Sequence, residues 1–229
     1  MWSYYGRKTK VIKYYPKPTH DIIIEPFAGT AVYALHENNW QREVILIDKY
    51  EVITEIWEYL QAATPKEILS LPTLVKGEKV EDFECLSEAE KYLIGFCVNR
   101  GNPRPCKTAN NYNSWESDKK RIAENLYKIK HWDIRCGDYD EFGDINAKTA
   151  TWFIDPPYQE KGYKYKHSCK NIDFGRLADW SKGRNGQVIV CENMGADWLD
   201  FKPLKSMRGV NGKNMEAIWT NINHQQAIV

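Results

Sequence analysis

The sequence predicts an α/β fold, built on a mostly parallel sheet and interrupted by a mostly helical insertion. Three observations predict it. Strand-sized apolar runs alternate with helix-period segments over residues 21–63 and again over 132–191. Residues 65–130 between them hold no clear strand. The tail then returns to strand-like segments around a turn.

In chain order, 21–25 reads as a buried strand ended by Pro26, and 31–38 as a helix. Residues 43–48 form the second strand. Helix 50–63 follows, with Ile53, Ile56, Trp57 and Leu60 on one face. A capping-box-like Ser87-Glu88-Ala89-Glu90 opens a helix over 87–99. Residues 100–115 are a polar loop rich in Asn, Pro and basic side chains, and 118–130 is helical again. Strands are expected at 132–136, 151–154 and 187–191, with a helix at 173–182. Closing strands at 205–209, 217–221 and 225–229 surround a turn at Asn211-Gly212-Lys213-Asn214. The simplest division is one α/β domain, residues 1–60 plus 131–229, carrying an insertion at 61–130.

Composition excludes several classes. The 229 residues include nine Trp, fourteen Tyr and seven Phe, too many aromatics for a solvated coil. Only 14 Gly and 10 Pro exclude collagen-like and low-complexity chains. No apolar run approaches the roughly 18–20 residues that cross a bilayer, and the N-terminus lacks signal-peptide character. A soluble, cytoplasmic protein without a membrane partner is expected, either a monomer or a weak dimer. The six cysteines include no C-x-x-C pair, and His20, His36, His131, His167 and His224 stand singly. Reduced thiols and no metal site are therefore expected.

Net charge is only +1, but its sign is patterned. The first twenty residues carry Arg7, Lys8, Lys10, Lys13 and Lys17 and no acid, whereas 43–90 is strongly acidic. Residues 91–130 are basic, and Lys161, Lys164, Lys166 and Lys170 alternate with Tyr163, Tyr165 and His167. Any one cluster reads as solvated surface. Three of them interleaved with aromatics fit a nucleic-acid face, where cations meet phosphates and rings stack on bases.

The most informative segment is Asp155-Pro156-Pro157-Tyr158, at the carboxyl end of an expected strand, where open α/β sheets place ligands. Two prolines remove two backbone donors and leave the Asp155 carboxylate and Pro156 carbonyl as acceptors. An acceptor-only pocket beside an aromatic ring suits a planar amino group. The competing reading is a strand-ending turn with a buried Tyr. Glu25-Pro26-Phe27-Ala28-Gly29-Thr30-Ala31 follows the first strand, where a small-residue turn admits close approach of a ligand. Its single glycine fits a dinucleotide fingerprint poorly. Asp48 ends the second strand, placed to accept from ribose hydroxyls, or simply a surface acid. Asp138, in Gly137-Asp138-Tyr139, is a candidate acceptor for a nucleoside amino group, or part of a turn.

Together these segments resemble the amino-group DNA methyltransferases that use S-adenosylmethionine, most closely the Dam-like (D12, alpha-group) adenine-N6 enzymes. Tyr4-Tyr5-Gly6-Arg7-Lys8 is similar to their N-terminal aromatic-x-Gly-x-Lys segment, and Glu216-Ala217-Ile218-Trp219-Thr220-Asn221 to their last strands. The resemblance covers most of the chain outside roughly 60–130. The Thr30-Ala31 and Cys191-Glu192-Asn193 positions depart from it. It implies a Rossmann-like methyltransferase sheet with an antiparallel closing strand. It implies Asp155, Pro156, Pro157 and Tyr158 as catalytic residues. S-adenosylmethionine would be held by Tyr4, Gly6, Lys8, Glu25, Pro26, Phe27, Gly29, Asp48, Asp138, Tyr139 and Asp155. The target-recognition region would be the insertion.

The implied reaction transfers a methyl group to N6 of an adenine flipped out of double-stranded DNA. Arg100, Arg104, Lys107, Asn110 and Asn111 are candidates for base reading, since Arg suits guanine and Asn suits adenine. Lys164 and Lys166 are candidates for phosphate contact. Three alternatives remain open: the same chemistry on RNA, cytosine N4 or a protein amide; an inactive relative that binds DNA or opposes restriction; and a nicotinamide oxidoreductase, which the single-glycine loop opposes.

Overall fold

The computed structural model describes residues 1–209 and 212–222. Among the described residues are seven strands and six α-helices: β1 Ile22–Glu25, β2 Glu43–Asp48, α1 Glu51–Ala62, α2 Pro65–Ser70, α3 Glu88–Val98, α4 Trp115–Asn125, β3 Asp133–Cys136, α5 Gly143–Asn146, β4 Thr149–Ile154, α6 Phe174–Lys182, β5 Asn185–Asn193, β6 Lys202–Gly209 and β7 Gly212–Thr220. They form one seven-stranded sheet of order β3-β2-β1-β4-β5-β7-β6. Pairings among β1 to β5 are parallel, and β7 runs antiparallel between β5 and β6. An α/β fold with a mostly parallel sheet and an antiparallel closing strand is therefore present. Among the described residues, no helix is long and apolar enough to cross a membrane.

The central strands read as near-continuous apolar runs because both faces are covered. Successive side chains alternate between two layers. Ile23, Val44, Leu46 and Phe153 enter one, and Ile24, Ile45, Ile47 and Trp152 the other. The first layer continues without a break into α1, α3 and α4 through Trp57, Phe96, Trp115 and Ile122. The second is covered by α6 through Leu177 and Ala178. Residues 61–130 thus contribute side chains to the same hydrophobic layer as the sheet.

Two capping boxes fix helix starts in this region, Thr64 with Glu67 and Ser87 with Glu90. The first belongs to α2, whose Thr-Pro-x-Glu opening the sequence displays but the periodicity reading passes over. Helix α4 begins at Trp115, three residues before the expected start, because the Asn113 side chain accepts from the Trp115 amide and turns the chain earlier. Two isolated bridges, Lys79 to Thr108 and Met194 to Ala196, lie outside the named strands.

The expected helix over 31–38 is absent. Ala31 and Glu37 adopt φ of 46° and 49°, left-handed values that interrupt an α-helix. The Ala34 amide donates to the Glu25 carboxylate at 2.7 Å rather than to a preceding carbonyl. The result is a chain of turns. Of the expected turn at 211–214, residues 212–214 belong to β7, whose pairing with β6 reaches Gly209–Gly212, and position 211 lies outside the described residues. The expected strand at 225–229 lies outside the described residues.

Candidate functional site

Strand order reverses between β1 and β4, which neighbour each other while β2 lies outside β1 and β5 outside β4. In open α/β sheets this switch point leaves a crevice at the carboxyl ends of the strands. β1 delivers Glu25 and the Pro26–Ala31 turn to it, β2 delivers Asp48, β3 is followed by Asp138, and β4 by Asp155. A cleft of about 220 Å³ opens there. Tyr4, Gly6, Lys8, Glu25, Pro26, Phe27, Gly29, Asp48, Asp138, Tyr139 and Asp155 all line it, together with Pro157. Residues spread over 150 positions in sequence are thereby gathered around one cavity.

Each wall has a physical cause. Gly29 takes φ 47°, and the turn it makes aims its amide at Asp48 Oδ2, 2.9 Å away. The Tyr50 amide donates to Asp48 Oδ1, also at 2.9 Å. Asp48 is thus held by both neighbouring loops, and each oxygen keeps a lone pair. Burial raises its pKa to about 6, against the lowering effect of those two amides. Burial likewise carries Glu25 to about 8. Asp138 accepts from the Tyr139 amide at 2.9 Å and pairs with Lys49 at 2.6 Å, so an amino group approaching it meets a competing cation. Phe27 and Tyr139 face each other with ring centres 5.6 Å apart.

At the other end lies a charge cluster. Lys8 Nζ sits 2.9 Å from Asp155 Oδ1, 3.4 Å from Glu216 Oε1 and 4.3 Å from the centre of the Tyr158 ring. Burial opposes the Lys8 charge, but Asp155 and Glu216 overcome it and hold the ammonium protonated well above its ordinary range. Asp155 is raised to about 6 by burial, with Lys8 pulling it down and Glu216 pushing it up. Glu216 also accepts from the hydroxyls of Tyr15, at 2.6 Å, and Tyr158. One face of the Tyr158 ring is therefore covered by Lys8.

The basic stretches divide. Lys166 lines the cleft along with Tyr165 and His167, rather than standing apart on an outer face. Lys164 lies outside the cleft wall, over the rings of Tyr5 and Tyr163. The 100–113 loop borders the N-terminal segment: Tyr5 donates to the Asn102 carbonyl at 3.3 Å, and Gly101 to Ser3 Oγ at 3.2 Å. Arg100, Arg104, Lys107 and Asn111 are exposed on it. Lys107 is tied to Glu81 at 2.6 Å, and the Asn110 side-chain Oδ1 accepts from the Tyr112 amide at 2.7 Å. Those two are partly engaged within the protein, whereas no ion pair involves Arg100 or Arg104 among the described residues.

Sequence reasoning passes over Tyr15, and it names Tyr165 and Glu216 without giving either a place at the site. Tyr165 stands against the N-terminal tyrosines, its hydroxyl 3.3 Å from the Tyr5 carbonyl. Its signal was the basic-aromatic alternation, read there as an outer face. Tyr15 has no motif around it. No group of three or more His, Cys, Asp or Glu placed to hold a metal ion occurs among the described residues. Compared with known protein families, the chain matches no family model, and no curated protein matches it.

Proposed function

We propose that this protein is a methyltransferase that moves the methyl group of S-adenosylmethionine to an exocyclic amino group, with N6 of a flipped-out DNA adenine as the substrate. The observation that carries the reading is the position of Asp155-Pro156-Pro157-Tyr158. It follows β4 at the switch point, and its Asp155 and Pro157 line one cleft with the Pro26–Ala31 turn, Asp48 and Asp138, while Pro156 and Tyr158 stand behind that wall.

The residues fit the cofactor. Asp48 keeps acceptor capacity for a ribose diol, and Phe27 and Tyr139 offer apolar faces for a purine. Asp155 and Glu216 outnumber Lys8, which leaves the inner end of the cleft net negative, as suits a sulfonium. When bound, S-adenosylmethionine supplies a methyl group activated by that positive sulfur.

The chain's own part is positioning. Adenine N6 is a weak nucleophile because its lone pair is conjugated with the ring. Asp155 and the Pro156 carbonyl accept its two N–H bonds, which favours a pyramidal nitrogen and exposes the lone pair. Asp155, with a pKa of about 6, is ionised above neutrality and acts as an acceptor. It need not be a strong base, since the N–H proton becomes acidic only after transfer. In this reading the flipped base stacks beside the Tyr158 ring. Holding the nitrogen about 3 Å from the methyl carbon supplies much of the rate. Extrusion of the base costs on the order of a few kcal/mol, offset by phosphate contacts from the exposed Arg100 and Arg104.

The test is nucleoside mass spectrometry of unmethylated DNA incubated with the protein and labelled S-adenosylmethionine, with Asp155→Ala as control. Label in N6-methyladenine that is lost in the variant supports the proposal. Label in N4-methylcytosine, or only in RNA, keeps the site and changes the substrate. DNA binding without any heat of S-adenosylmethionine binding would leave a DNA-binding protein without this chemistry.

A further inference from the structure

β7 runs against its neighbours, so its first residues lie beside the carboxyl end of β5, where Glu216 faces Asn193 in register. That places an acid from the far end of the chain at the catalytic end of the sheet. Glu216 is buried, at 6% exposure. Its Oε1 receives three donors: the Tyr15 hydroxyl at 2.6 Å, the Tyr158 hydroxyl and the Lys8 ammonium at 3.4 Å. Burial and the acids around it keep both phenols protonated, so they act as donors.

The same ammonium lies 2.9 Å from Asp155 Oδ1, the acceptor that the amino group requires. Lys8 therefore competes with the substrate for Asp155. A second carboxylate beside it gives the ammonium another partner within a short movement. Tyr158, anchored through its hydroxyl, keeps its ring fixed while that exchange happens.

We propose that Glu216 is a positioning residue for this reaction, fixing Tyr158 through its hydroxyl and drawing Lys8 off Asp155 when the substrate amino group arrives. The inference rests on the methyltransferase reading of the same site. It adds a residue that touches neither substrate nor cofactor and acts through Lys8 and Tyr158.

The acidic and basic groups facing Asp155 are Lys8 from the N-terminal segment, Glu25 at the end of β1, which burial keeps protonated up to about pH 8, Glu192 on β5 and Glu216 on β7. The neutral titratable groups there are Cys191 on β5, with Tyr158 and Tyr165 beyond β4. Within this set Glu216 pushes the Asp155 carboxyl upward in pH. Its neutralisation moves the acid limb of kcat/KM downward, since kcat/KM reports the free enzyme.

The experiment compares wild type, E216Q and Y158F. E216Q removes the charge and keeps an acceptor; Y158F removes only the hydroxyl. Both are expected to lower kcat by about 10- to 100-fold, the size of a lost hydrogen bond to a charged group, with KM for S-adenosylmethionine little changed. E216Q alone moves the acid limb to lower pH, by about half a unit or more. Wild-type kcat and an unmoved limb in E216Q overturn the proposal. Should E216Q not fold, Y158F decides: a wild-type kcat overturns it, and the stated loss supports it. A wild-type chain that methylates no substrate removes the methyltransferase reading alone. Glu216 is then judged by carbon-13 titration of Asp155 in wild type and E216Q. A lower midpoint in the variant supports the coupling, and equal midpoints overturn it.

Discussion

Replacing Glu25 by Gln should stabilise the protein, and more so at pH 7 than at pH 5. Glu25 ends β1, is 3% exposed and has as its hydrogen-bond partner the Ala34 amide at 2.7 Å. Burial carries its pKa from an ordinary 4.5 to about 8, opposed by that amide and reinforced by Asp155. The unfolded chain releases this proton near 4.5, whereas the folded chain holds it to about 8. Between those values the folded state binds more protons, so stability falls as pH rises through the window. At pH 7 the difference amounts to about 3 kcal/mol, and at pH 5 to less than about 1 kcal/mol. A glutamine keeps the acceptor for Ala34 and never ionises, so those figures are upper bounds on the gain. The assay is urea unfolding of wild type and variant at both pH values, with a thermal midpoint expected to rise by about 2–4 °C per kcal/mol for a chain of this size. An equal gain at the two pH values, or a loss at both, would refute the reasoning.

Other perturbations bear on the cleft and its surroundings. Gly6→Ala puts a Cβ 1.9 Å from the Tyr165 hydroxyl at a φ of 75°, so weaker S-adenosylmethionine binding by calorimetry is expected, partly restored by Y165F in the same chain. Lys8→Met leaves Asp155 and Glu216 buried without their cation and should cost about 3–5 kcal/mol in unfolding at pH 8, a loss that shrinks toward pH 5 as Asp155 takes up its proton. R100A and R104A should each reduce the salt slope of duplex binding by about one unit. K107A should reduce it less, because Lys107 is already paired with Glu81 at 2.6 Å. Equal slopes for all three variants and the wild type would remove the loop from the interface.

Local chemistry made most of the cleft legible. Asp48 and Asp155 end or follow strands of apolar residues, Asp138 follows the mixed strand Asp133–Cys136, and a parallel sheet brings all such ends to one side. Periodicity could not disclose that residues 31–38 fail to form a helix. Their apolar spacing is helical, but left-handed values at Ala31 and Glu37, and a side chain that takes the Ala34 amide, depend on tertiary context. Glu216 escaped for a different reason. Its place at the site follows from the direction of β7 and its register with β5, which no local pattern encodes. Tyr165 was visible as an aromatic among lysines, yet only the packing of residues 162–167 against the N-terminal tyrosines turns it inward.

The centre of the sheet joins Ile23 of β1 to Thr151 of β4, with all of α1 to α4 lying between them in the chain. Closing so long a loop carries an entropic cost that must be met before the pairing returns any stability. Because Phe96, Trp115 and Ile122 share a hydrophobic layer with Trp57 and Ile23, early collapse of the intervening helices shortens the span that β4 has to bridge. Core substitutions in α3 or α4 are therefore expected to slow refolding of the whole sheet, although those helices contribute no strand to it. On this expectation the region that precedes β4 in sequence aids the assembly of that strand.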